Sequence, residues 1–199
     1  MGEVSAQPRA LNIPNALTVF RVLLVPVFLY LLIASNTHGD SWRYWALAIY
    51  VVASLTDLID GDYARRTGQI TPFGQVADPI ADKALIGAAL IGLSWLGDLS
   101  WWITIIIVAR ELAVTALRYW ARSSGVIPAS RGGKLKTVLQ LFAVGFYLLP
   151  QNGAGLETFR STLMFITVLV TLVTAGDYWV RAVRLRQVKA ELPATGESA

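Results

Sequence analysis

The sequence predicts an all-α, polytopic integral membrane protein with six transmembrane helices. Three observations carry that expectation. The 199-residue chain is 55% hydrophobic and only 15% charged, where a soluble domain holds about a quarter of its residues as charges. Its mean hydropathy is +0.54. Its apolar residues fall into long runs separated by short polar or turn-rich segments, and all seven Trp stand near the ends of those runs, as interfacial anchors do. The length suits a single domain over 1–199.

Residues 1–10 are polar and read as a mobile N-terminal segment. The apolar run after them is too long for the core of a cleavable signal. Pro14 marks the entry to a first span over about Asn15–Ala34. Ser35–Ser41 reads as a short polar loop, with His38 a solvated loop residue. The second span runs from about Trp42 to Ala64, and Trp42, Tyr44 and Trp45 at its start form an aromatic belt. Arg66–Pro72 is a turn-rich connector. The third span covers about Asp78–Leu96, Gly97–Ser100 is a tight turn, and the fourth span covers about Trp101–Trp120. A basic loop follows, holding Arg122, Arg131, Lys134 and Lys136. The fifth span covers about Leu135–Leu149, Pro150–Gly155 is a turn, and the sixth span covers about Phe159–Trp179. The tail, 181–199, is basic and then small and polar.

Six spans put both termini on one side, and the charges choose the side. The N-terminal segment, the connector between spans two and three, the loop between four and five and the tail hold nearly all Lys and Arg. The opposite side has only Arg43 and Arg160. By the positive-inside rule both termini face the cytoplasm from a plasma or inner membrane. The net charge of +4 does not point to nucleic acid, because the basic residues are not interleaved with aromatics in a soluble module. Anionic lipid head groups and phosphorylated substrates suit it better.

The chemistry concentrates in Asp57–Asp82, DLIDGDYARRTGQITPFGQVADPIAD. Asp57 and Asp60 are three apart and Asp78 and Asp82 four apart, so each pair can project from one helix face. A carboxylate at a bilayer centre costs about 3 kcal/mol on the lenient insertion scale. Four left uncompensated would cost roughly 10 kcal/mol as an upper figure. Divalent cations are the natural offset, since hard ions take carboxylate oxygens. The chain has no Cys and one His, so thiolate and His-rich zinc sites are excluded and oxygen ligands point to Mg2+ or Mn2+. Two such ions can clamp a phosphate during in-line displacement, with Asp57 and Asp60 on one side and Asp78 and Asp82 on the other. Gly61 lacks a side chain, so a nucleotide can approach the backbone there; helix packing is the plainer account of it. Arg65, next to the acids, can bind a pyrophosphate through its planar fork or serve only as a helix-end cation. Asp62 reads as a solvent-side or salt-bridging acid.

The spacing Asp57-x2-Asp60-Gly61-x2-Ala64-Arg65-x8-Gly74-x3-Asp78-x3-Asp82 resembles the signature of the CDP-alcohol phosphotransferase family without a gap or substitution. That resemblance implies a CDP-linked lipid as donor. It implies Asp57, Asp60 and Asp78 as metal ligands, and Asp82 as ligand and general base. Thr71 lies where the family contacts the CDP-lipid, and Gly74 completes the signature beside it. The run Asn12–Arg21 also resembles the family, in which an Asn and a Thr near the start of the first span, here Asn15 and Thr18, help hold the CDP moiety. Capping of the first helix is an equally good reading of Asn15 alone.

The acceptor must be read elsewhere. Arg110 and Glu111 fall inside the fourth span, and a charged pair within an apolar helix is a functional-site hypothesis by default. Arg110 with Arg118, Lys134 and Lys136 forms a cationic set that suits a phosphorylated alcohol better than a neutral one; topology signals alone explain Arg122 and Arg131. The runs Ala109–Arg118 and Gly133–Gln140 resemble the phosphatidylglycerophosphate synthase branch. That implies glycerol 3-phosphate as acceptor, CDP-diacylglycerol as donor, and a homodimer. The rival within the family is a phosphatidylinositol phosphate synthase. Cation transport is the rival from another class, but the acids cluster at one end and no internal repeat is visible, unlike a midplane transport site. A structural scaffold would leave the acids unexplained.

Overall fold

The computed structural model describes the backbone of residues 13–67, 72–121, 131–150 and 153–191. Side chains are described over a narrower set that leaves out 13–14, 58–76, 78–79, 118–134, 185–186 and 188–191. Within it the chain is all-helical: α1 Ile13–His38, α2 Asp40–Thr67, α3 Pro72–Trp95, α4 Trp101–Ala121, α5 Arg131–Leu148 and α6 Ala154–Glu191. Two of these, Asn15–His38 within α1 and Ala154–Arg184 within α6, are long and apolar enough to cross a membrane.

The helices run further than the polar segments suggest. Ser35 to His38 belong to α1, because the Ser35 hydroxyl back-bonds to the Leu32 carbonyl at 2.6 Å and does not start a turn. His38 stacks on Trp42, with ring centroids 4.6 Å apart. Gly39 alone makes the break. At φ 84° it donates its N–H to the Ser35 carbonyl at 3.0 Å, a left-handed cap that favours glycine. Pro72 opens α3, a first-turn position where its missing N–H has no helical partner to lose. Beyond Trp179, α6 continues to Glu191 through good helix formers and an i, i+4 pair from Arg181 to Asp177 at 3.0 Å. The tight turn after α3 is as expected. Gly97, at φ 81°, donates to Ser94 at 3.1 Å and the following Asp98 N–H to Leu93 at 3.0 Å, a Schellman motif.

The chain divides into two compact units, Met1–Ser100 with Val144–Asn152, and Trp101–Ala143 with Gly153–Ala199. In the first, α1 packs on both α2 and α3. Its core holds Phe28, Leu32, Tyr50, Leu85, Leu90 and Leu93. Gly92 lets α3 come close to α1: a Cβ there would stand 2.7 Å from Leu32 Cδ2 and 3.1 Å from Leu29 Cδ1. Arg43, expected only as a charge on the sparsely charged side, is buried. It donates to the Tyr147 and Leu148 carbonyls at 2.8 and 3.1 Å and to Asp98 at 2.6 Å, so it satisfies the end of α5 as a C-terminal cation does. In the second unit α4 packs on α6. The buried side of α6 repeats at three and four residues through Arg160, Met164, Thr167, Thr171, Thr174 and Tyr178. Large apolar side chains face outward in both; Trp45, Trp95, Trp102 and Trp179 are 63–74% exposed, the pattern of a surface that meets lipid or a partner.

Candidate functional site

In the first unit the buried stripe of α1 changes from polar to apolar along its length. On α1 the stripe is Asn15, Thr18 and Arg21, then Phe28 and Leu32. On α2 it is Ala46, Tyr50 and Ala53, and the same spacing continues to Asp57 and Asp60. On α3 Asp78 and Asp82 precede Leu85, Ala89 and Leu93. Two contacts set the α1–α2 register: Arg21 meets Asp57, and the rings of Phe28 and Tyr50 lie 6.0 Å apart. The two helices are therefore antiparallel, and Asp60 stands level with Thr18. The approach of Gly92 to Leu29 and Leu32, with Asp82 in electrostatic reach of Tyr50 beside Phe28, makes α3 parallel to α1. Ten residues of helix, about 15 Å of rise, carry α3 back to Asp82 at the level of Arg21. The backbone thus brings all four acid positions to the polar end of α1, between Asn15 and Arg21.

At that end Arg21 is wholly buried, and its Nη1 donates to Asp57 Oδ1 at 2.6 Å, while the Asp57 side chain is 38% exposed. Tyr50, buried two stripe positions inward of Asp57, lies within electrostatic reach of Asp82, which is half-buried. The α1 helix already runs from Ile13, so Asn15 stands inside it and not at its cap, buried like Thr18. The side chains of Asp60, Gly61, Arg65, Thr71, Gly74 and Asp78 lie outside the described residues. Among the described residues no three His, Asp or Glu side chains come together.

In the second unit the structure joins two of the expected cations. Arg110 reaches α6, with Nε donating to the Thr171 carbonyl at 3.1 Å and Nη2 to Thr174 Oγ1 at 2.9 Å. The Thr174 hydroxyl back-bonds within its own helix to Val170 at 2.8 Å, which leaves its oxygen facing the guanidinium. Glu111, one residue on and about 100° around the helix, turns to α5. Its Oε1 accepts from Arg110 Nη1 at 3.0 Å and also from Lys136 Nζ. The side chains of Arg118 and Lys134 lie outside the described residues.

Sequence reading left two residues without a role. Arg21 closes the Asn12–Arg21 run, and its spacing of three from Thr18 and six from Asn15 was the available signal. Glu111 was visible as half of a charged pair, but its link to Lys136, 25 residues away, was not.

A family model described as CDP-alcohol phosphatidyltransferase matches residues 11–173. The chain belongs to that family. CDP-alcohol phosphatidyltransferase relatives align over most of its length. It is 48% identical over 183 residues to a protein of Mycobacterium tuberculosis (strain CDC 1551 / Oshkosh) named probable phosphatidylglycerophosphate synthase, covering 92% of this chain and 87% of that one. It is 36% identical over 180 residues to the CDP-diacylglycerol--glycerol-3-phosphate 3-phosphatidyltransferase of Bacillus subtilis (strain 168), covering 84% and 93%. The protein of the same name from Shigella flexneri serotype 5b (strain 8401) is 38% identical over 174 residues, covering 84% and 92%. The CDP-alcohol phosphatidyltransferase match takes in the polar end of α1, the acids of α2 and α3, and the Arg110–Glu111–Lys136 cluster.

Proposed function

We propose that the chain transfers the phosphatidyl group of CDP-diacylglycerol to glycerol 3-phosphate, giving phosphatidylglycerol phosphate and CMP. The observation that carries this is the run of relatives named for that reaction over at least 84% of the chain. The buried cations on α4 and α5 support a phosphorylated acceptor, since topology alone would keep them at the surface.

The donor chemistry of the first unit fits a hard divalent cation. Carboxylates of α2 and α3 share one level, the chain has no Cys, and its one His is at the other end of α1, stacked on Trp42. Asp57, Asp60, Asp78 and Asp82 would hold two Mg2+ or Mn2+ ions, which when bound neutralise phosphoryl oxygens and stabilise the departing CMP. Asp82 accepts the proton of the acceptor hydroxyl as that oxygen attacks the lipid-side phosphorus. The bond from that phosphorus to the bridging oxygen breaks, and the oxygen leaves with CMP. Asn15, Thr18, Gly61, Arg65, Thr71 and Gly74 bind the CDP-lipid; the burial of Asn15 and Thr18 at the level of the acids suits that role. Arg110, Arg118, Lys134 and Lys136 bind the acceptor phosphate. The chain works as one domain, since the family match runs through both units without a break. It crosses the membrane six times, with both termini and the acids on the cytoplasmic side, among lipids and as a homodimer.

The test is CMP release by purified protein with CDP-diacylglycerol, magnesium, and in turn glycerol 3-phosphate, inositol phosphate, inositol and serine. Turnover with glycerol 3-phosphate alone is expected. Chelation should stop it, and either Mg2+ or Mn2+ should restore it. Asp82→Asn should lower kcat by at least about a hundredfold, the usual scale for a lost general base. Turnover with a different alcohol would overturn the acceptor assignment and keep the family chemistry.

A further inference from the structure

We infer that Glu111 is a positioning residue for the acceptor, holding Arg110 and Lys136 at the spacing that one phosphate group bridges. This rests on the assignment of those two cations to the acceptor phosphate. Arg110 is oriented from α6: the Thr171 carbonyl and Thr174 hydroxyl take Nε and Nη2, which fixes the plane of the guanidinium and aims Nη1 at Glu111. Lys136 comes from α5 and donates to the same Oε1. Two cationic nitrogens on one oxygen stand no further apart than about 6 Å, the sum of two hydrogen-bond lengths. That is a separation two oxygens of a single phosphate can span.

The burial explains why a carboxylate is needed. The side chains of Arg110 and Lys136 are 7% and 8% exposed, and like charges repel strongly where water is scarce. Glu111 offsets that repulsion before any acceptor arrives, so the pair need not reorganise on binding. It is the most exposed of the three, at 21%. One carboxylate against two cations leaves the cluster with a single positive charge, still attractive to a phosphate dianion and indifferent to a neutral alcohol.

The test uses the full-length protein and CMP release, varying glycerol 3-phosphate and CDP-diacylglycerol separately. Glu111→Gln is expected to raise KM for glycerol 3-phosphate about tenfold, with KM for CDP-diacylglycerol within twofold and kcat moving far less than the acceptor KM. Adding Glu111→Gln to Lys136→Ala should raise the acceptor KM no further than Lys136→Ala does alone, because the pair to be aligned is already gone. Glu111→Asp keeps the charge on a shorter arm. It should fall between wild type and Glu111→Gln, and it gives the deciding value if the Gln variant does not purify as a folded protein. An unchanged or lowered acceptor KM in the Glu111 variants, with Arg110→Ala and Lys136→Ala both raising it, would overturn the role of Glu111 and leave the acceptor assignment standing. If Arg110→Ala and Lys136→Ala leave the acceptor KM unchanged, the acceptor assignment fails and this inference falls with it.

Discussion

Arg21 and Asp57 form an asymmetric pair: the guanidinium is wholly buried, while the carboxylate keeps 38% of its side-chain surface. Which partner is removed should therefore matter. Asp57→Ala takes a carboxylate from a buried cation, a change that costs about 3–5 kcal/mol when the remaining charge has no access to water. Arg21→Ala leaves a carboxylate that water reaches, and should cost only about 1–2 kcal/mol. Thermal unfolding in detergent should show the larger drop for Asp57→Ala, and a double variant less destabilised than the sum. Equal drops would mean the pair is not the main partner of either residue. The acids stand out in the sequence by their spacing, because their cost in an apolar chain is high and their helical interval is short. Arg21 does not, because one Arg at the end of a run looks the same whether it snorkels to a surface or turns inward, and its partner lies 36 residues on.

The helices of the first unit depend on where α3 is thin. At Gly92 a Cβ would stand 2.7 Å from the wholly buried Leu32, while at Gly87, five residues earlier on the same helix, nothing lies within 4 Å. Gly92→Ala should therefore destabilise by about 1–3 kcal/mol, the range for overpacking. Gly87→Ala should be neutral or stabilise by up to about 1 kcal/mol through helix propensity. Melting temperatures of the two variants would check the contrast, and Leu32→Val should recover part of the loss at Gly92. Helix number and order were readable from the apolar runs. Their ends were not, since Ser, Asn, Thr and His read as turn formers. In the structure Ser35 instead satisfies its hydroxyl on the preceding turn and only Gly39 reverses the chain. The register between helices was also out of reach of the sequence; it rests on contacts such as Phe28 with Tyr50.

At the scale of the molecule the absence of Cys makes the topology directly testable, because a single introduced thiol has no background. The proposed orientation, with termini and acids cytoplasmic, predicts that Ser41→Cys reacts with a membrane-impermeant maleimide in intact cells, while Ser124→Cys and Ser198→Cys react only after permeabilisation. The reverse pattern would invert the orientation drawn from the Lys and Arg distribution. That distribution was legible because charge asymmetry is a property of the whole chain; the fate of one charge within it was not, and Arg43 shows why. Its carbonyl partners, Tyr147 and Leu148, lie 104 and 105 residues downstream, and its acid partner Asp98 lies 55 downstream. A ribosome adds about 5–20 residues per second, so α2 is made several seconds before Asp98 and longer still before the end of α5. During that interval the charge at the head of α2 must be satisfied by water or lipid head groups. The native clasp is thus a late event in the birth of the chain, complete only once the end of α5 has been made.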